Sequence, residues 1–517
     1  MRNPDDPRLT TAARFLAERR YGEAHAQGMA VIQADPKAVQ AYALLGCVAI
    51  DTGAFEKGGD LFQRAWTLDP GNAAYGAAFA RCLAGLNRDV PALAAAEMAL
   101  VFGPMDGETF DTLGVVFNRA GRHETAAQCF RAACRLDPAN AGYHLNLGWA
   151  EQRLGDKAAA ATAFRDCVTL DPANERAVLA LVHLLPQTLE ANVTVQLFEA
   201  FKAAAGDADH MLRIGMALAK TFEDQNEPEL ALDWLLLAKG AKAAQVPNLE
   251  VRQADLFKAA AATTPRAVGG SQGCASDVPV FIFGLPGGET GMLDRLLTSH
   301  PALVSAGETT TFPLTARRHA GSPTAALIDG ATLRAAGRAR MAQLGDDYVS
   351  DLRARAPGGR HVIDRQPLNV LYAGLIGAAL PNARMIHVRR HPVEACLAAF
   401  RQPFAGDVRH LDWAYGLQST ARYSLAVEQL VAHWRATLPA DRFIVVDYEA
   451  VAADPEAGRA TLLTWLAVPA SGQLPPVELQ PLDKGWTRYG PKLQPLLDVL
   501  VAGGALTAED AAHVRQA

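Results

Sequence analysis

The chain has 517 residues, of which 50% are hydrophobic and 20% charged, and its formal net charge is −6. This length predicts two or three domains with ample apolar core, and the charge balance gives no sign of a nucleic-acid-binding surface. Residues 1–11 lack the apolar centre of a signal peptide and no run of about 18 apolar residues predicts a membrane span, so a cytoplasmic location is expected.

The first half of the chain is periodic. Prolines recur at a fixed spacing of 34 residues, at positions 36, 70, 104, 138 and 172, and three of them close a Leu-Asp-Pro tripeptide. A 34-residue period with helix–turn–helix content is the signature of tetratricopeptide repeats. We count about five clear repeats and one or two degraded ones, the last being a helix pair between residues 212 and 243.

Small and aromatic residues in the best repeats have separate tasks. Small residues such as Gly114 and Gly148 let paired helices approach closely, and Phe130 and Phe164 fill the gap between the helices. Such repeats stack into a superhelix whose concave groove usually binds peptides or partner proteins. We predict the following groove-lining residues, for which the alternative is an ordinary solvated helix position: Asn118, Arg119, Trp149, Gln152 and Arg153.

A change of composition marks the domain boundary. Residues 259–277 are small, polar and rich in glycine, as in linkers. We therefore predict a repeat array over residues 1–262, a linker over 263–278 and a second domain over 279–517. Short apolar runs in the second domain alternate with helical stretches, which predicts an α/β domain with a parallel sheet. The predicted strands are Val280–Phe283, His361–Ile363, Arg384–Val388 and Phe443–Val446.

The stretch Val280–Pro301 combines a buried strand, a glycine-rich turn and a helix. This is the architecture of a phosphate cradle, in which backbone N–H groups and a helix N-terminus converge on an anion. Yet the turn contains no lysine or arginine, and Glu289 lies in its middle. No Gly-Lys-Ser/Thr follows the turn, which argues against a Walker-type nucleotide triphosphatase, and the spacing of the histidines predicts no metal site.

Several ordered motifs of the second half resemble the sulfotransferase family. They are Phe281–Pro286, Leu296–Pro301, Ala306–Glu308, Asp364–Asn369, Ile386–Pro392, Val446–Glu449, Ala453–Pro455 and Gly485–Tyr489. With the repeats, the chain is similar to bacterial tetratricopeptide–sulfotransferase proteins over nearly its whole length. The resemblance implies an all-α tetratricopeptide superhelix followed by a P-loop-like α/β sulfotransferase domain with a parallel sheet.

The resemblance also implies an activity. Family members transfer a sulfuryl group from 3′-phosphoadenosine 5′-phosphosulfate to an acceptor hydroxyl without a metal, and the acceptor here would be a protein or peptide held by the repeats. Glu308 matches the general base of the protein-tyrosine branch, although a capping or ion-paired surface carboxylate is the alternative. Arg365 is the second predicted catalytic residue and stands where the family usually has lysine. The positions that match donor-binding residues are Pro286, Gly287, Gly288, Thr290, Gly291, Arg390, Tyr448 and Lys484.

The donor-binding pattern is broken at both of its ends. The family turn reads P-R-S-G-T-T, whereas Gly287, Gly288 and Glu289 here replace its arginine, serine and glycine, and Gly291 replaces a hydroxyl residue. Ala398 replaces the serine that follows the conserved arginine, here Arg390, by eight positions. Each lost hydrogen bond to a charged group is worth roughly 1.5–3 kcal/mol, and a carboxylate about 4 Å from a phosphate costs on the order of 4 kcal/mol.

Two functional hypotheses follow. In the first, donor binding is impaired and the protein is a pseudoenzyme or scaffold that works through its repeat groove. In the second, it is an active sulfotransferase for a protein or peptide hydroxyl. An ion pair of Glu289 with Arg390 or Arg365 would mean that the donor site is occluded by the protein itself.

Overall fold

A computed structural model describes residues 6–189, 192, 194–267, 273–287, 289–322, 327–402, 409–469, 474–479 and 485–511. The chain forms two compact units, Met1–Gln187 and Thr188–Ala517. The predicted boundary at residues 262 and 263 falls within the second unit.

The first unit is a stack of antiparallel helix pairs. Its helices are α1 (Pro7–Ala17), α2 (Tyr21–Ala34), α3 (Val39–Asp51), α4 (Phe55–Leu68), α5 (Ala73–Gly85), α6 (Asp89–Val101), α7 (Gly107–Arg119), α8 (His123–Leu136), α9 (Ala141–Leu154), α10 (Lys157–Leu170) and α11 (Glu175–Leu184).

One contact repeats through this stack with the predicted period. A Cβ atom added to Gly114 would lie 2.5 Å from the ring of Phe130, and one added to Gly148 would lie 2.5 Å from the ring of Phe164. The less regular repeat that contains α3 and α4 keeps the same contact between Gly46 and Phe62, also at 2.5 Å. The glycines are thus required because each aromatic ring lies where a Cβ atom would otherwise be.

The second unit contains all five described strands. Its helices are α12 (Thr194–Ala203), α13 (Ala208–Asp224), α14 (Pro228–Ala243), α15 (Leu249–Ala261), α16 (Glu289–Thr298), α17 (Thr311–Ala320), α18 (Gly330–Ala336), α19 (Met341–Arg355), α20 (Asn369–Ala379), α21 (Pro392–Phe400), α22 (Leu417–Thr437), α23 (Tyr448–Ala453), α24 (Pro455–Trp465) and α25 (Gln494–Ala502). Two 3₁₀ helices span Arg409–Tyr415 and Gly485–Leu493. Its strands are β1 (Pro279–Phe283), β2 (Leu303–Ser305), β3 (His361–Asp364), β4 (Arg384–Arg389) and β5 (Phe443–Asp447).

The strands form one parallel sheet in the order β2-β3-β1-β4-β5. All five residues of β1 are buried, because helices cover both faces of the sheet. Phe281 and Phe283 face one apolar core, and Val280 and Ile282 face the other. The predicted parallel sheet is confirmed, and four of its strands lie within one residue of the predicted bounds at each end.

Helices α13–α15 belong to the same unit as the sheet. Leu256 and Ala260 of α15 lie in the core on the Phe281 side of the sheet. The side chain of Lys239 in α14 is fully buried, and its Nζ donates hydrogen bonds to the carbonyl oxygens of Gln402 (3.1 Å) and Ala414 (3.0 Å). Burial lowers the pKa of Lys239 to about 7. A buried ammonium group therefore ties the repeat-like pair α13–α14 to segments that follow β4.

The predicted linker is packed where the structure describes it. Thr263 is only 3% exposed. The backbone N–H of Cys274 donates to the carbonyl of Ala379 over 2.8 Å, and the carbonyl of Asp277 is 2.8 Å from Nδ1 of His361. These contacts fasten the second described part of the segment, residues 273–278, to α20 and β3.

Candidate functional site

The glycine turn lies at the carboxyl ends of two neighbouring strands. β1 ends at Phe283 and α16 begins at Glu289, so the turn between them lies beside the end of β4. The chain leaves β1 towards β3 and β2 but leaves β4 towards β5. Open parallel sheets bind ligands in the crevice where the connections diverge in this way.

A buried ion pair closes this crevice. Nη1 of Arg390 lies 3.3 Å from Oε2 of Glu289, and the side chains are 5% and 2% exposed. Nη2 of Arg390 lies 3.7 Å from Oε2 of Glu394 on the first turn of α21. Arg390, which matches a donor-binding arginine of the family, therefore contacts two carboxylates of the same chain.

The pKa of Glu289 is perturbed by this environment. Burial raises the pKa of its carboxyl group above the usual value, and the nearby Glu449 acts in the same direction. The positive charge of Arg390 and a hydrogen bond from it oppose the rise. Burial has the largest effect, so the ion pair does not fully offset the loss of hydration.

The substitutions at the two ends of the donor pattern meet in space. A Cβ atom added to Gly287 would lie 2.8 Å from Oε2 of Glu289, 2.9 Å from Cβ of Ala398 and 3.4 Å from Nη1 of Arg390. The carboxylate of Glu289 thus occupies the concave side of the turn, where an anion would have to sit. In this arrangement the turn does not fit a phosphate or sulfate group, because it would be a third anion at the Arg390 guanidinium, which already contacts Glu289 and Glu394, and both carboxylates would repel it.

Other residues that were predicted to bind the sulfuryl donor are buried or partly buried. Thr290 is only 4% exposed. Tyr448 is fully buried, its hydroxyl group contacts Sδ of Met292, and burial raises the pKa of its phenol. Pro286 and Gly291 are half-buried. Gly288 and Lys484 lie outside the described residues.

The two predicted catalytic residues are close together. Nη1 of Arg365 lies 3.5 Å from Oε2 of Glu308, whose side chain is 52% exposed. Nε of Arg365 lies 3.4 Å from Oδ2 of Asp294 in α16, and that oxygen also accepts a hydrogen bond from Ser305 over 2.6 Å. Sequence reasoning missed Asp294, although it lies four residues after Thr290 and so on the same face of α16.

A buried carboxyl group supports the segment that carries Arg365. Asp364 accepts hydrogen bonds from the Tyr348 hydroxyl (2.9 Å), the Asn369 amide (3.1 Å) and the backbone N–H of Gln366 (3.1 Å). Burial raises the pKa of Asp364 to about 7, although these hydrogen bonds act to lower it. The hydrogen bonds of Asp364 therefore hold the motif Asp364–Asn369 in place at the end of β3.

A cleft of about 310 Å³ opens beside these residues. Pro286, Glu308 and Gln366 contribute to its wall, and most of the remaining lining is apolar, including Trp413. The ring of Trp413 stacks on Tyr423 with centroids 4.0 Å apart. Apolar clefts of this size with a few polar groups are typical binding sites for small ligands and side chains.

The predicted groove residues of the repeats differ in exposure. Gln152 and Arg153 are exposed. Arg119 bonds to Asn87 and Asp89, and Asn118 lies 2.8 Å from Nδ1 of His123.

Trp149 is partly buried. Its ring packs edge-on against Phe164 with centroids 5.2 Å apart. The indole therefore has a packing role within its own repeat.

Within the described residues, no group of three or more His, Cys, Asp or Glu side chains is arranged to hold a metal ion. No helix in the described part of the chain is long and apolar enough to span a bilayer.

Comparison with known proteins assigns families to two segments. Residues 279–472 match the model of the "Sulfotransferase family", and residues 112–175 match a "Tetratricopeptide repeat" model. A curated protein of Aquifex aeolicus (strain VF5), described as "Uncharacterized protein", is 26% identical over 262 residues, which cover 45% of this chain. The chain spans only 33% of that relative's length.

Similar solved structures include YrrB, described as a TPR protein with an unusual peptide-binding site. It is 17% identical, with 40% of this chain and 96% of YrrB covered at a TM-score of 0.28. PilF of Pseudomonas aeruginosa is 23% identical, with 40% of this chain and 92% of PilF covered at a TM-score of 0.33. The sequence, the fold and the family matches agree: the chain combines tetratricopeptide repeats with a domain of the sulfotransferase family.

Proposed function

We propose that this protein is a non-catalytic member of its family, a scaffold that binds a protein or peptide partner through its repeats and does not hold the sulfuryl donor. The observation that carries the proposal is the buried ion pair between Glu289 and Arg390. The carboxylate of Glu289 takes the place of the donor's anionic groups, and Arg390 is already neutralised.

The energetics support this proposal. A donor phosphate would have to displace Glu289 from Arg390 and leave a carboxylate in a buried position, which is strongly unfavourable. No hydroxyl group is present at Gly287 or Ala398 to compensate. The expected loss of several kcal/mol corresponds to roughly a thousandfold in affinity, since each ~1.4 kcal/mol is a factor of ten.

The test is isothermal titration calorimetry of the full chain with 3′-phosphoadenosine 5′-phosphate, the spent donor. We expect no binding at millimolar nucleotide. Binding at micromolar concentration would contradict the proposal and favour the active enzyme.

The alternative, an active sulfotransferase, has one observation in its favour. Glu308 and Arg365 lie 3.5 Å apart beside the apolar cleft, as a general base and an adjacent cation would. If the donor binds, transfer of ³⁵S-labelled sulfate to tyrosine peptides, and its loss in Glu308→Gln, would decide for this alternative.

The partner site is proposed on the exposed residues of α9. Gln152 and Arg153 are exposed and follow each other on the helix that faces the groove in repeats of this type. In a peptide array probed with the full chain, Arg153→Glu should lose the bound peptides. Lys157→Glu, the same charge change at an exposed position of α10, should keep them.

A further inference from the structure

A second cavity lies on the other side of Leu285, between β4, α22 and the end of α25. Its volume is about 480 Å³, within the range of roughly 300–1,000 Å³ that small-molecule sites occupy. Leu285 and Val427 line both this cavity and the cleft beside Glu308, so they separate the two. We call this second space the α22 cavity.

The polar lining of the α22 cavity is a hydrogen-bonded cluster. Nε2 of His387 lies 3.3 Å from Oε1 of Glu428, and Arg389 donates two hydrogen bonds to Oε2 of Glu428, at 3.0 and 2.5 Å. His387 is only 2% exposed. His387 and Arg389 lie two residues apart on β4, so their side chains share one face of the sheet.

The hydrogen-bonding state of His387 follows from this cluster. Burial acts to raise the pKa of Glu428, but the bonds from His387 and Arg389 outweigh it and hold the pKa below its usual value. An ionised carboxylate only accepts hydrogen bonds, so Nε2 of His387 carries the hydrogen. In the neutral imidazole Nδ1 is then an acceptor, and within the described residues it has no partner.

A second polar atom at this cavity is also unsatisfied. Nε of Arg390, which lines the cavity together with Glu289, is buried and has no hydrogen-bond partner in the described part of the chain. One lining group thus requires a donor and the other requires an acceptor. Buried polar atoms without partners are rare and costly, so both favour an occupant that supplies hydrogen bonds.

The charges and the remaining lining define the chemistry of that occupant. Two guanidinium groups, Arg389 and Arg390, face two carboxyl groups, Glu428 and Glu289, so the formal charges cancel. The remaining lining is mostly apolar and includes Leu285, Leu425 and Val427. An anion or cation would have to disrupt one of these pairs, whereas an uncharged group would not.

We propose that the α22 cavity binds a small uncharged molecule with a mainly apolar body and one hydroxyl or amide group. A hydroxyl or amide can supply the donor that Nδ1 of His387 lacks or the acceptor that Nε of Arg390 lacks. The cavity shares the Glu289–Arg390 ion pair with the donor crevice, and Leu285 and Val427 separate it from the cleft beside Glu308.

Four probes with one ring and different head groups test the proposal. Saturation-transfer NMR of the full chain should show binding of benzyl alcohol and benzamide at millimolar concentration. Benzoate and benzylammonium at the same concentration should not bind. Equal binding of the charged and neutral probes, or no binding of either neutral probe, would overturn the proposal.

Variants locate the site. Ala432 is an exposed residue at the cavity rim, so Ala432→Phe should fold normally and abolish binding of benzyl alcohol. Leu411→Phe, which narrows the cleft beside Glu308 instead, should leave binding unchanged. If Ala432→Phe binds like the unmodified chain, the cavity is not the site.

His387→Phe probes the polar contact. It keeps an aromatic ring but removes the acceptor, and we expect affinity for benzyl alcohol to fall roughly tenfold, which equals about 1.4 kcal/mol. Circular dichroism verifies the fold of each variant. An unchanged affinity in a folded His387→Phe variant would remove His387 from the site.

Discussion

Gly287 and Ala398 are neighbours in the folded protein: a Cβ atom at Gly287 would lie 2.9 Å from Cβ of Ala398. Their substitutions were expected at opposite ends of one bound nucleotide, but they border the same ion pair of Glu289 and Arg390. The changes therefore form one compact rearrangement, in which a new carboxylate fits because the residues around it are small.

This geometry predicts an order in which donor binding can be restored. Gly287→Arg alone should be destabilising, since its Cβ would lie 2.9 Å from Cβ of Ala398, which cannot rotate away, and 2.8 Å from Oε2 of Glu289. Glu289→Gly alone should free Arg390 and give weak binding of 3′-phosphoadenosine 5′-phosphate. The triple variant with Gly287→Arg and Ala398→Ser added should bind most tightly in calorimetry.

The control for this series is Glu308→Gly, which also removes a carboxylate but lies outside the turn. It should not bring binding back. Equal binding by Glu289→Gly and the unmodified chain would show that the carboxylate is not the obstacle.

The ion pair should also matter for stability. Arg390→Met leaves the 2%-exposed Glu289 without its partner. We expect a loss of about 3–5 kcal/mol, as for other broken buried pairs, with most of it recovered in the double variant with Glu289→Gln. Differential scanning calorimetry measures this through the transition of the second unit.

The loss of folding stability caused by Arg390→Met should depend on pH. The pKa of Glu289 is raised in the folded protein, so its stabilising protonation is complete at low pH and is lost as pH rises through that raised value. Arg390→Met should therefore be better tolerated at pH 5 than at pH 8. A cost that is independent of pH would contradict the assignment.

Glycine replacements test the packing of the repeats. Gly114→Ala places a methyl group 2.5 Å from the ring of Phe130 and should destabilise the first unit by about 1–3 kcal/mol. Gly22→Ala, in a helix position with open space around it, should be neutral or stabilising by up to about 1 kcal/mol. In calorimetric scans the melting temperature should fall for Gly114→Ala, whereas it should stay the same or rise for Gly22→Ala.

The buried Lys239 predicts that folding stability depends on pH above neutrality. Its pKa is lowered from 10.5 to about 7, so between these values the unfolded chain binds more protons than the folded one. Stability should therefore rise with pH across this window, because the lysine must release its proton on folding and this release becomes less costly as the pH rises. The slope of melting temperature against pH should be smaller in Lys239→Met, which keeps the aliphatic stem. An identical slope in both proteins would refute this role.

The sequence predicted much of the fold because its strongest signals are local. The 34-residue period and the apolar runs of β1, β3, β4 and β5 each reflect a contiguous segment and its buried faces. The strand β2 was missed, since Leu303–Ser305 is too short to show a pattern. The packing of α15 was missed as well, because its apolar face fits a repeat stack as readily as a sheet.

The site was less predictable because its contacts join distant segments. Sequence comparison flagged Gly287, Glu289 and Ala398 as departures, and it named an ion pair of Glu289 with Arg390 or Arg365 as the sign of an occluded site. It could not show that Ala398 borders the glycine turn, or that Arg365 contacts Asp294 as well as Glu308. The roles of Glu308 as a base and of the groove residues stay predictions.

The buried ammonium group of Lys239 also has a consequence for how this chain can be divided. It joins α14 to the carbonyl groups of Gln402 and Ala414, and Arg401 adds an ion pair to Glu223 of α13 at 2.5 Å. A fragment that starts at the first strand would lose both partners and expose the apolar face that α15 covers. Recombinant fragments and repeat exchanges should instead be cut near residue 188, so that the sheet keeps the helices that precede it.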